Sequence, residues 1–280
     1  MLAFCVSAKI VNNENKCVFF DKGVFLKMNV PKNLNSSKSK ANSVSNPVGG
    51  GSKGFVFAII GLVAAAVLVF VFIIASGDKQ RAERLAEGAA AISGVNMSYD
   101  KDRAKIVLSA SDPTSESNIV AALYEDFGCP HCAELATATD NKMLEEISEG
   151  SLTVEIAPMT MMDGNKEGMS HELLATVLAA ANSGDETLYW NLRKTFLENQ
   201  FEYGNKTRED YAELAAAYDA DESTIEAIRN GDFMDEASEF GKFNEEEMSA
   251  KNNGEVGTPL IFVENEKMHA GQWEDYLNAL

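Results

Sequence analysis

The junction around Cys129-Pro130-His131-Cys132 restricts this chain more than any other stretch of it. Ile119-Val-Ala-Ala-Leu-Tyr124 is an apolar, β-prone run, Glu125-Asp-Phe-Gly128 turns the chain, and the residues after Cys132 read as helix to about Ser148. Two thiols separated by two residues can close a disulfide across the first turn of that helix. The cysteine at the helix N-terminus feels its positive end and unpaired N–H groups, which favour thiolate over thiol. A thiolate is the attacking species in thiol–disulfide exchange, so the motif reads as a catalytic dithiol. Pro130 suits the first helical turn, where its missing N–H costs nothing. A closed zinc site would need four ligands. His171 and His269 are remote, and Cys5 and Cys17 precede a long apolar segment, so no metal site is assigned.

That apolar segment, Phe55 to Ala75, runs 21 residues without a charge. As a helix it would be about 31 Å long, matching the hydrocarbon core of a bilayer. It exceeds the apolar region of a cleaved signal peptide, so it reads as an uncleaved signal-anchor that engages the lipid bilayer through residues 55–75. Eight lysines precede it (Lys9, Lys16, Lys22, Lys27, Lys32, Lys38, Lys40 and Lys53) against Glu14 and Asp21. The positive-inside rule then expects a cytoplasmic N-terminus and an extracytoplasmic domain after about residue 76. There the dithiol would face an oxidising space, where disulfides form and persist.

Residues 76–280 carry a formal balance of −25, within a whole-chain charge of −19. So acidic a surface repels nucleic acid and anionic headgroups, and nucleic-acid binding is not expected. The same residues contain two cysteines, both in the motif, so this part has no structural disulfide of its own.

Residues 1–54 read as a mostly disordered tail, rich in Ser, Asn, Gly and Lys from Asn33 to Lys53, with Met28 as an alternative start. Residues 76–100 read as a juxtamembrane stalk. The folded domain is expected over 101–280, with strands at 105–109, 119–124 and 152–158. Helices are expected at 170–182, 186–199, 207–218, 222–230 and 234–250, from the recurrence of apolar residues at helical spacing. The strand Leu260-Ile-Phe-Val263, a turn at 264–266, a short strand at 267–269 and a helix from Gln272 to Leu280 complete the order.

This order, an α/β arrangement of strand–CxxC–helix, a strand, a helical insertion at about 165–253, then Thr-Pro–strand–turn–strand–helix, resembles the thioredoxin fold. More narrowly, it resembles the DsbA family of extracytoplasmic disulfide oxidoreductases, here preceded by a single transmembrane helix. The likeness rests on Asp126-Phe-Gly-Cys-Pro-His-Cys132 and on Gly257-Thr-Pro-Leu-Ile-Phe-Val263. It implies that Cys129 is the exposed attacking cysteine, that Cys132 closes the redox-active disulfide, and that His131 supports the Cys129 thiolate. It also implies that Thr258 and Pro259 form a cis-proline loop that pairs with an extended substrate. Expected partners are exported proteins with free thiols and a membrane reoxidising protein; no cofactor is expected. One departure stands out. Thioredoxin-like proteins often bury an acid six residues before the first cysteine, where this chain has Leu123. Glu125 reads as a solvated turn carboxylate, with a proton shuttle as the other reading.

The main alternative is an extracytoplasmic reductase or isomerase, against which the Pro-His pair counts, since it suggests an oxidant. Met159, Met161, Met162 and Met169, with His171 behind them, read as core or substrate groove. Thioether and imidazole ligands also suit copper, which leaves a copper chaperone as a further alternative.

Overall fold

A computed structural model of the chain describes residue 57, residues 59–69, positions 77, 80, 84 and 87–89, and residues 91–112, 119–164 and 166–280. The expected tail at 1–54, residues 113–118 and parts of the expected span and stalk lie outside the described residues. Residues 59–69 are helical, with Ile59, Leu62, Val67 and Leu68 exposed. Among the described residues, no helix is long and apolar enough to cross a membrane.

Six strands form one mixed sheet: β1 (Val95–Asp100), β2 (Lys105–Ala110), β3 (Ile119–Asp126), β4 (Leu152–Met159), β5 (Leu260–Val263) and β6 (Glu266–Met268). Their spatial order is β1-β2-β4-β3-β5-β6, with β3 parallel to β4 and the other pairs antiparallel. The parallel pair needs a crossover, and helix α1 (Pro130–Glu149) supplies it. Leu123 at the centre of β3 faces Ile156 on one side and Ile261 on the other. β3 is therefore central and covered on both faces. That is why its sequence is a continuous apolar run, buried from Ala121 to Asp126, with little alternation. Ala121 and Leu123 enter the larger core, Ala122 and Tyr124 a smaller one on the opposite face.

The helical insertion joins β4 to β5. It comprises a 3₁₀ turn (Met161–Asp163), α2 (Met169–Ser183), α3 (Glu186–Glu198), a short α4 (Gln200–Tyr203), α5 (Arg208–Ala217), α6 (Glu222–Asn230) and α7 (Met234–Lys251). α8 (Ala270–Leu277) follows β6 and adds Trp273 to the larger core, to which α1 contributes Met143 and Ile147. α7 closes the smaller core, where Met248 meets Tyr124, Met159 and Phe262. At Gly241 any Cβ would collide with the Thr160 side chain, so glycine is what lets α7 approach the end of β4.

The helices of the insertion follow the periodicity closely. Two elements differ from expectation. Residues 95–100, expected in the stalk, form β1, paired antiparallel with β2 from Val95↔Ala110 to Asp100↔Lys105. As a half-exposed edge strand with few apolar residues, it carries little hydrophobic signal of its own. α4 is a single turn, too short for a period to register.

Candidate active site

β3 ends at Asp126, and a turn through Phe127 and Gly128 leads to Cys129, the N-cap of α1, in extended conformation. The turn is closed by Cys129 N–H donating to the Asp126 carbonyl at 3.0 Å. Pro130 occupies the first turn, and Gly150 ends the helix in the left-handed region at φ 82°, where a side chain would be strained. Both cysteines are free thiols.

The two sulfurs differ sharply. Hydrogen bonding from the Cys132 thiol is the largest influence on Cys129 and draws its pKa down to about 5, against the opposing effect of burial; Thr258 and the backbone N–H groups of Cys132 and His131 add to the lowering. The Cys132 thiol is pushed well above its ordinary range, first by burial and then by its hydrogen bond to Cys129. The Asp126 N–H lies 3.4 Å from Cys132 Sγ. Cys129 was expected to be exposed, yet it is only 4% accessible, against 2% for Cys132. Segments distant in sequence cover it. The Thr258 carbonyl accepts from its Sγ at 3.3 Å, and Gln200 Nε2 donates to its carbonyl at 2.9 Å.

The Thr258–Pro259 peptide is cis, as the motif implied. Thr258 Oγ1 is buried and without a hydrogen-bond partner among the described residues. In the thiol form Cys129 donates to the Thr258 carbonyl; a thiolate would instead accept, which gives that hydroxyl its role in lowering the Cys129 pKa. Beside the cis-proline runs a groove of about 340 Å³, lined by His131, Glu134, Leu135, Pro259, Ala270 and Glu274.

His131 lies close to Cys129, but its ring nitrogen Nδ1 pairs with Glu134 Oε2 at 3.0 Å. That bond first, and the charges of Glu134 and Cys129 after it, raise the His131 pKa. The ring therefore offers Cys129 charge, while its backbone N–H offers the hydrogen bond.

Glu125 is where expectation fails most clearly. It is 3% exposed, and Arg193 of α3 grips it through Nε at 2.7 Å and Nη2 at 2.6 Å. Arg193 Nη1 also reaches Asp140 of α1 at 2.7 Å, and the guanidinium stacks 4.8 Å from the Trp190 ring. Burial raises the Asp140 pKa to about 6 despite that arginine. The three groups share a crevice with Cys132. A carboxylate this deep is tolerable because a bidentate guanidinium compensates it. Nothing near Glu125 in sequence announces an arginine 68 residues away.

The methionines disperse. Met159 lies in the smaller core, Met169 packs against the larger one, and Met162 is 51% exposed. His171 Nδ1 is engaged by Asp163 Oδ2 at 2.8 Å. Among the described residues no cluster of three His, Cys, Asp or Glu side chains could hold a metal.

A thioredoxin family model matches residues 114–280. Comparison with curated proteins finds no match. Among solved structures, the chain is similar to MdbA, a thiol-disulfide oxidoreductase from Corynebacterium matruchotii, at 25% identity and a TM-score of 0.66, covering 70% of this chain and 98% of that one. It is similar too to MdbA, a thiol-disulfide oxidoreductase from Corynebacterium diphtheriae, at 27% identity and a TM-score of 0.64, covering 69% and 98%. With the dithiol at the start of α1, the cis-proline loop beside it and the helical insertion between β4 and β5, the chain belongs to the thioredoxin family, as a DsbA-like member.

Proposed function

We propose that this thiol–disulfide oxidoreductase works as an oxidant, introducing disulfides into exported proteins through Cys129 and Cys132. The observation that carries the reading is the asymmetry of the two thiols, one drawn down to about 5 and the other pushed well above its usual range. Stabilising the Cys129 thiolate stabilises the reduced protein, which makes the Cys129–Cys132 disulfide a stronger oxidant.

In the forward reaction a substrate thiolate attacks Cys129 Sγ of the disulfide. The S–S bond breaks and Cys132 leaves with the electron pair, then takes up a proton, for which its raised pKa suits it. A second substrate thiolate attacks the substrate sulfur of the mixed disulfide and expels Cys129 as a thiolate. Two electrons pass from the substrate dithiol to the enzyme, and the substrate leaves as a disulfide. Thr258 and the cis-Pro259, bordering both Cys129 and the groove, would pair with the extended substrate. His131 contributes positive charge beside the thiolate. Reoxidation requires an external electron acceptor, and a membrane-bound oxidase is the class we propose.

The apolar stretch 55–75 and the lysines before it support a single-pass anchor with the catalytic domain outside the cell membrane. The acidic surface argues against nucleic acid as a partner.

The test is the equilibrium potential of the full chain, with Cys5→Ser and Cys17→Ser, against glutathione. An oxidant should lie nearer about −120 mV than the roughly −270 mV typical of a reductant. Substrates should then be trapped as mixed disulfides on Cys129 in Cys132→Ser. A value near the reductant's would reverse the direction of the reaction and make the chain an extracytoplasmic reductase.

A further inference from the structure

Asp126 is fully buried at the end of β3, three residues before Cys129, and among the described residues none of its hydrogen bonds comes from a cation. Its carboxylate instead collects three neutral donors from three segments. Oδ1 accepts from Gly128 N–H at 2.7 Å and from the Ser170 hydroxyl at 2.5 Å, and Oδ2 accepts from Met162 N–H at 3.0 Å. Gly128 belongs to the dithiol turn, Met162 to the 3₁₀ turn, and Ser170 to the first turn of α2. The packing around this knot is tight: a Cβ at Gly128 would stand 2.6 Å from Ser170 Oγ and 3.0 Å from Met162 Cβ. A carboxylate without donors would be costly at such depth, and a carboxylic acid has less accepting capacity for the same three.

We infer that Asp126 is a positioning residue for the dithiol: its carboxylate ties the turn carrying Cys129 to the helical insertion, and protonating it loosens that tie and slows exchange at Cys129. This rests on Cys129 being the attacking sulfur. Burial raises the Asp126 pKa to about 6 and the Cys129 pKa is drawn down to about 5, so both groups titrate in the weakly acidic range and the rate has to be read per thiolate. From the 3₁₀ turn the Asp163 charge pushes Asp126 up, and Asp163 is itself held by His171 N–H and Nδ1 of α2. From α1, Cys132 Sγ lies near the Asp126 N–H. Glu125, the preceding residue, is committed to Arg193.

The experiment uses the full chain with Cys5→Ser and Cys17→Ser, reduced, reacting with glutathione disulfide between about pH 4 and 8, a range that brackets both groups. The Cys129 thiolate attacks one glutathione sulfur, forming a mixed disulfide and releasing glutathione thiolate. Thiolate absorbance measured in parallel converts the rate to a rate per thiolate. That rate should fall about tenfold through an inflection near 6, the loss expected of one charge-assisted hydrogen bond. In Asp126→Asn it should be low and flat. Ser170→Ala removes a donor that favours the carboxylate, so its inflection should move up; Asp163→Asn removes a repelling charge, so its inflection should move down. A folded Asp126→Asn with the wild-type profile would overturn the inference. If that variant does not fold, Ser170→Ala and Asp163→Asn decide, and inflections unmoved in both overturn it. A wild-type chain lacking any low-pKa thiol would instead defeat the assignment of Cys129 itself.

Discussion

Cys129 links protonation to stability. Its folded pKa, about 5, lies below the value of about 9 ordinary for the unfolded thiol, so the folded state releases the proton first. The resulting stabilisation is complete above the unfolded value and is lost as pH falls through the folded one. It exists only in the reduced protein, because the disulfide has no proton to lose. Asp126 and Asp140 work in the opposite sense: raised to about 6, they take stability away as pH rises from about 4 to 6. They are present in both redox forms and largely cancel between them. Urea unfolding of both forms at pH 5 and pH 8 should therefore show the reduced form gaining on the oxidised, at up to about 1.4 kcal/mol per pH unit. Equal pH dependence in the two forms would contradict a depressed Cys129 pKa.

Between elements, the fold relies on buried polar ties as well as apolar packing. Arg193 joins α3 to β3 and α1 through Glu125 and Asp140. Lys105 of β2 reaches Asn244 and Glu247 of α7 at 2.5 and 2.6 Å, and Tyr124 donates to the same Glu247 at 2.7 Å. One tie secures the insertion beneath the dithiol, the other secures α7 across the sheet. Removing one partner of such a tie leaves the rest buried without compensation. Arg193→Leu should cost about 3–5 kcal/mol in chemical unfolding, because two buried carboxylates lose the guanidinium that pairs with both. Arg193→Lys should lose less, keeping the charge while giving up the bidentate fork. A Leu variant within about 0.5 kcal/mol of wild type would mean that Glu125 and Asp140 find other compensation.

For the whole molecule, charge and hydropathy divide the chain at about residue 76, with lysines before the apolar run and a balance of −25 after it. We propose that the run tethers an acidic, soluble catalytic domain whose surface stays away from anionic lipid. Replacing residues 55–75 with a Gly/Ser linker of equal length should move the protein from the membrane to the soluble fraction in cell fractionation. Retention of that variant on membranes would remove the run from the account of its location.

Much of this architecture could be read from the chain itself, because it depends on local order. Helical periodicity marked the insertion from α2 to α7, apolar β-prone runs marked β2 to β5, and the dithiol and the Thr258-Pro259 loop are contiguous motifs. Other features have no local signature. β1 depends on its pairing with β2, α4 is one turn long, and Gln200 meets Cys129 only because the insertion folds back over it. Glu125, by its sequence neighbours a residue of the turn, becomes a core group because Arg193 arrives on α3. Asp126 becomes a three-way anchor because the 3₁₀ turn and α2 bring it Met162 and Ser170. Sequence pattern reports which face of an element seeks burial. Whether a polar group can follow it into the core depends on partners that only the folded chain brings within reach.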